Sequence, residues 1–113
     1  MPYQPQEVWT SQMFMYGSAL SLRGQIADNT EGTTAEQVHD VLDKIERFLI
    51  EAGSDKSKIL AMHVYLADMN DFAIMNEIWY AWIDPHPHPT RTTVEAKLDP
   101  PNLRVEMTVI AGR

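Results

Sequence analysis

Ile59-Leu60-Ala61-Met62-His63-Val64-Tyr65-Leu66-Ala67 decides the fold. Leu60, Met62, Val64 and Leu66 alternate with Ala61, His63 and Tyr65, the period-2 pattern of a strand with one buried face. Helical patterns flank it on both sides. Upstream, Thr33-x-x-Glu36 reads as a capping box, in which hydroxyl and carboxylate each take an orphan amide. Val38, Val41, Leu42, Ile45, Phe48 and Leu49 follow as one helical stripe, and Gly53 stops it as a left-handed cap. Downstream, residues 68–70 supply cap candidates for a helix over 71–83 with a core stripe of Phe72, Met75, Trp79 and Trp82. Ile74 and Ile78 lie off that stripe, so this helix is apolar over more of its girth than a lone surface helix requires.

The pattern extends outward to both ends. Residues 12–16 and 19–25 read as strands joined by a Gly17-Ser18 turn, with Leu20, Leu22 and Ile26 on one side and Ser21, Arg23 and Gln25 on the other. Residues 28–32 form a loop, 54–58 a connector, and 85–89 (Pro-His-Pro-His-Pro) a stiff linker. Residues 91–98 and 103–111 alternate again across an Asp-Pro-Pro-Asn turn. Residues 1–9 read as a loose lead-in. The order β-β-α-β-α-β-β predicts an α+β fold, one mixed sheet with both helices on one face, forming a single domain over 1–113.

Composition narrows the function. Nine Lys+Arg against 16 Asp+Glu leave a net charge of −7, and no two basic residues are adjacent. Nucleic-acid binding draws most of its affinity from neutralising phosphates, so that class is disfavoured. Cys is 0, which removes disulfides and thiol catalysis and fits a reducing compartment. No apolar run is long enough to span a membrane, and Met1–Pro5 lacks the features of a secretory signal, so a cytoplasmic protein is expected.

Strand alternation places Leu20, Leu22, Leu60, Met62, Val64, Val94, Ala96, Val105, Met107 and Val109 toward the helices. The opposite face receives Arg23, Gln25, His63, Tyr65, Arg91, Thr93, Glu95, Arg104, Glu106 and Thr108. Such a polar face is ordinarily the wet side of the sheet. The surplus apolar surface of the second helix and Phe14 argue instead for burial against further copies of the chain. Arg91 and Glu106 would then carry chemistry: a guanidinium clamps a carboxylate with two prongs, and a carboxylate can deprotonate water. His86 and His88 fall short of a metal site's ligand number and read as solvated, so no metal is expected.

These residues resemble the Rid family (reactive intermediate deaminase, also YjgF/YER057c-type or endoribonuclease L-PSP). The resemblance runs from about residue 11 to 111. It rests on Leu22-Arg23-Gly24-Gln25-Ile26, residues 51–58 (EAGSDKSK), residues 64–72 (VYLADMNDF), Met75-Asn76, Arg91-Thr92-Thr93-Val94-Glu95-Ala96 and residues 104–111 (RVEMTVIA), in that order. It implies a chorismate mutase-like fold and a homotrimer with clefts between subunits. It also implies cofactor-free hydrolysis of 2-imino acids, or their enamine tautomers, to 2-keto acids and ammonia.

Carried onto this chain, the resemblance makes Arg91 the clamp for the substrate carboxylate and Glu106 the catalytic residue that positions water. Gly24 and the Thr93 backbone become close main-chain contacts to the ligand, and Asn76 lines the pocket. The chain departs from the family pattern in three places. Thr93 stands where deaminases often carry cysteine, Thr10 aligns near a pocket tyrosine, and Arg23 replaces a small residue. Arg23 adds a second cation with three destinations: Glu106, Glu95 or the far end of a dicarboxylate. Two other functions compete with deamination: non-catalytic binding of keto acids and the ribonuclease or translation-inhibitor activity of the family's older label. The acidic surface weighs against the last.

Overall fold

The computed structural model describes residues 12–113. The elements are β1 (Met13–Tyr16), β2 (Ala19–Ile26), α1 (Thr34–Glu51), β3 (Ile59–Leu66), α2 (Phe72–Ile83), β4 (Thr90–Glu95) and β5 (Val105–Gly112), with short 3-10 turns before β3 and α2. The sheet runs β1-β2-β5-β3-β4. β4 lies parallel to β3, and the other pairs are antiparallel. The predicted α+β order is therefore present, with β5 central and β4 at an edge. The lead-in over 1–9 and Thr10 lie outside the described residues.

Local chemistry sets the ends of these elements. Thr33 caps α1: its Oγ1 accepts from the Glu36 amide at 3.2 Å, and the Glu36 carboxylate accepts from the Thr33 amide at 2.8 Å. Gly53 takes φ +80°, while Ser54 donates back to the Leu49 carbonyl at 2.8 Å, closing the helix in the predicted left-handed cap. Gly17 takes φ +59° between paired Tyr16 and Ala19, and Ser18 does not share the positive φ, which is a type II′ hairpin turn.

One core joins α1, α2 and one face of the sheet. Val38, Val41, Leu42, Ile45 and Leu49 of α1 and Met75, Trp79 and Ile83 of α2 pack on Leu20, Leu22, Met62, Val64, Leu66, Val105, Met107, Val109 and Ala111. Each fully buried large side chain contributes about 1.5–3 kcal/mol. Gln37 is a polar member of this interior, 1% exposed. Its Nε2 donates to the carbonyls of Thr30, Gly32 and Asn102, and its Oε1 accepts from the Arg104 amide at 2.8 Å. It ties the α1 entry to the loop before β5, which the apolar stripe gave no reason to expect.

Several expected side-chain directions are corrected. In β2, Leu22 pairs with Val109 but Gln25 pairs with Met107, so β2 spends three steps where β5 spends two. This bulge reverses the alternation. Gln25 turns into the core side, 5% exposed, and Ile26 pairs with Glu106 on the open side. A second irregularity, between Ile59 and Ala61, leaves Leu60 exposed. β4 ends at Glu95 rather than at residue 98. Its parallel register sets Arg91, Thr93 and Glu95 beside Met62, Val64 and Leu66, hence on the helix side, and exposes Val94 beside Tyr65 on the open side. Arg104 precedes β5, and its guanidinium reaches Asp71 at 2.5 Å and Thr34 at 3.3 Å, near the N-termini of both helices.

Two outcomes follow for stability. Gln37→Leu strands four backbone groups and should cost about 2–4 kcal/mol, read as a lower urea midpoint at unchanged slope. The Thr33 amide, aided by the hydroxyl, holds the Glu36 carboxyl below its ordinary pKa. A lowered folded-state pKa contributes stability above the unfolded value and loses it as pH falls through the folded value. Glu36→Ala should therefore lower the midpoint at neutral pH, and the gap to wild type should narrow under acid.

Candidate functional site

Arg91 is held from the helix side. Its Nη2 donates to Asn76 Oδ1 at 2.6 Å, and its guanidinium carbon lies 4.5 Å from the Trp79 ring centroid, 5.6 Å from Tyr80 and 5.7 Å from Phe72. All four partners stand on α2 at helical spacing, and aromatic faces attract a guanidinium through their quadrupole. Burial pushes the Arg91 pKa down, Tyr80 opposes this, and the group remains a cation. Arg91 makes no salt bridge among the described residues. Its Nη1 is buried without an acceptor, and so is the Thr93 hydroxyl one rung along the same side of β4. Buried polar atoms rarely go unpaired, so two adjacent orphans mark a place for a ligand group. A third orphan, Trp82 Nε1, belongs to the ring beneath Lys56.

Glu106 occupies the other face. It pairs with Ile26 and Tyr65, and its carboxylate lies against Gly24 at the β2 bulge. A Cβ on Gly24 would overlap the Glu106 carboxylate, with the carboxyl carbon only 2.8 Å away. Gly24 thus gives the carboxylate its seat. A cavity of about 280 Å³ opens here, lined by Arg23, Gly24, Gln25, Lys44, Asp99 and Glu106 among others. Lys44 is engaged, donating to the Ile26 carbonyl at 2.7 Å and pairing with Asp28 at 2.5 Å.

The residues expected to act together therefore form two groups: Arg91, Asn76 and Thr93 on the helix side of an edge strand, and Glu106, Gly24 and Arg23 around the bulge. Within one subunit they face apart. Glu95 belongs to neither group, because its Oε1 accepts from the Met69 amide at 2.9 Å. The core stripe of α2, to which Trp79 belongs as expected, does not predict that the same ring also faces Arg91. The repeat Phe72, Asn76, Trp79, Tyr80 was the available signal. His88 is not simply solvated: it bonds Asp84 at 2.6 Å and packs on Tyr80 at 5.2 Å. No group of three or more potential metal-ligating side chains occurs among the described residues. His63 stays on the open face, with the Thr108 hydroxyl 3.4 Å from its Nδ1. Among the described residues no helix is long and apolar enough to cross a membrane.

Gly24→Ala should evict the Glu106 carboxylate while leaving the fold largely intact. The expected result is a crystal structure with Glu106 in a new rotamer and a Tm lowered by only a few degrees, since the displaced group is a flexible side-chain end.

Residues 4–112 match the family described as endoribonuclease L-PSP. A RutC family protein of Haemophilus influenzae is 39% identical over 102 residues, covering 89% of this chain and 88% of the relative. The crystal structure of a YjgF-family protein from Neisseria meningitidis superposes with a TM-score of 0.88 at 41% identity, over 92% of this chain and 87% of that one. A Rid-family protein from Yersinia pestis gives 0.87 at 29% identity, over 93% and 88%. Match, relatives and shared architecture agree: the chain belongs to the YjgF/Rid family, the endoribonuclease L-PSP family of older usage.

Proposed function

We propose that this protein hydrolyses 2-imino acids, or their enamine tautomers, to 2-keto acids and ammonia, at sites shared between subunits of a homotrimer. The observation that carries the reading is the buried, acceptorless Nη1 of Arg91 in its aromatic surround. Burying a charge is costly unless something pairs it, and a substrate carboxylate is the natural partner for a guanidinium with one prong still unspent. The Thr93 hydroxyl adds a second unspent donor on the same side.

Glu106 supplies the other half. Facing the opposite way in its own subunit, it meets an Arg91 only if that arginine belongs to a neighbouring copy. The open face suits such packing, because Phe14, Tyr16, Val94 and Ile110 are exposed there. In the shared cleft Arg91 orients the carboxylate, which brings the iminium carbon to the water held by Glu106. Glu106 accepts a proton as water adds to that carbon and a carbinolamine forms. Return of the proton to nitrogen lets ammonia leave and the carbonyl form. The reaction asks for no cofactor. The family's older ribonuclease label finds little support in a net charge of −7.

Arg91→Ala and Glu106→Gln should each lower imine hydrolysis by about a hundredfold or more, measured as keto-acid release in competition with semicarbazide trapping. Refolded together in equal amounts, the two inactive variants should regain activity, since about a quarter of randomly assembled shared sites carry both intact groups. A mixture that assembles and stays inactive would sink the shared site. Assemblies that bind keto acids but leave imine lifetimes unchanged would select a non-catalytic binder.

A further inference from the structure

Arg23 is a cation beside Glu106 that forms no ion pair among the described residues. It opens the β2 bulge, is exposed, and lines the same cavity as Glu106. Within its own subunit, two of its three conceivable destinations are closed. Glu95 lies on the other side of the sheet and is committed to the Met69 amide. Glu106 is near in the fold, yet its carboxylate rests on Gly24 and forms no ion pair with Arg23 within 4.0 Å. Lys44, the other cation of the cavity, is consumed by Asp28 and the Ile26 carbonyl. Among the described residues Arg104 alone of the five arginines forms an ion pair, so what sets Arg23 apart from Arg47 and Arg113 is its place in the cavity that Glu106 also lines.

We propose that Arg23 receives a second carboxylate of the substrate, so that the preferred substrates are imines of dicarboxylic 2-amino acids. This inference rests on the imine-hydrolysis reading above. One guanidinium, Arg91, takes the carboxylate beside the reacting carbon. The other stands one residue from Gly24 and so next to the Glu106 carboxylate that directs water. Asp99 and Glu106 both line the cavity and would repel an entering anion. A guanidinium in the same cavity offsets that repulsion and recognises the planar carboxylate with two parallel hydrogen bonds. The same two carboxylates make a basic side chain the competing substrate, and the experiment includes one.

The test generates imines from glutamate, glutamine and ornithine with an amino-acid oxidase and measures hydrolysis above the spontaneous rate. Glutamine is the uncharged isostere of glutamate. Wild type should favour the glutamate imine over the glutamine imine by about tenfold or more in kcat/KM, the worth of one charge-assisted contact. Arg23→Ala should bring this ratio close to unity, and Arg23→Lys should keep part of it. Calorimetry with 2-oxoglutarate and its amide isostere supplies the same ratio without turnover. A wild-type ratio near one, a ratio untouched by Arg23→Ala, or preference for the ornithine imine overturns the role of Arg23 while imine hydrolysis stands. Absence of hydrolysis with all three imines overturns the deaminase reading instead. The calorimetric ratio then still decides whether Arg23 selects a second carboxylate.

Discussion

Met62 and Arg91 share one rung of the sheet. That pairing constrains everything built around the candidate site. Met62 is fully buried toward the helices, and residues opposite one another on neighbouring strands point the same way. Arg91 must therefore project to the helix side as well. It arrives under α2, where Asn76 holds one nitrogen and Phe72, Trp79 and Tyr80 surround the cation. Only an edge strand tolerates this arrangement. In mid-sheet the guanidinium would enter the dry core, where an unpaired charge is prohibitively costly.

The β2 bulge performs the matching operation on the other face. One extra residue against β5 turns Gln25 inward and Ile26 outward, leaving Gly24 flush with the Glu106 carboxylate. Bulges recur where a sheet must redirect a side chain. Here the irregularity builds a seat for a carboxylate, opens a small polar cavity and brings Arg23 to its rim. Arg91 owes its place to strict register, and Glu106 owes its surroundings to a break in register. Both outcomes depend on pairing between strands remote in sequence.

Features governed by neighbours within a few residues were legible without coordinates. Thr33 and Glu36 form their reciprocal cap, Gly53 takes the left-handed conformation, and Gly17 turns the first hairpin. Val105, Met107 and Val109 face the core as their alternation required. Leu60, Val94, Gln25, Arg91 and Thr93 defied the same rule. Alternation tells which residues of one strand share a side; it does not tell which side meets the helices. Apolar content ordinarily settles that question, and in β4 the alternating Val94 pointed the wrong way. Arg23 and Glu106 were legible as unusual charges, but the cavity joining them was not.

The sequence by itself determined the order of strands and helices, the helix boundaries, the membership of most of the core and the kinship expressed in scattered family segments. These follow from short-range hydrogen bonding and from the periodicity of apolar residues. Only the tertiary structure decided that Arg91 and Glu106 face apart, that Gln25 and Gln37 lie in the interior, and that Arg23 finds no carboxylate among the described residues. Each of those outcomes depends on inter-strand register and on one inserted residue. Register is a relation between distant segments, so a single strand's pattern leaves its absolute orientation open until its neighbours are in place.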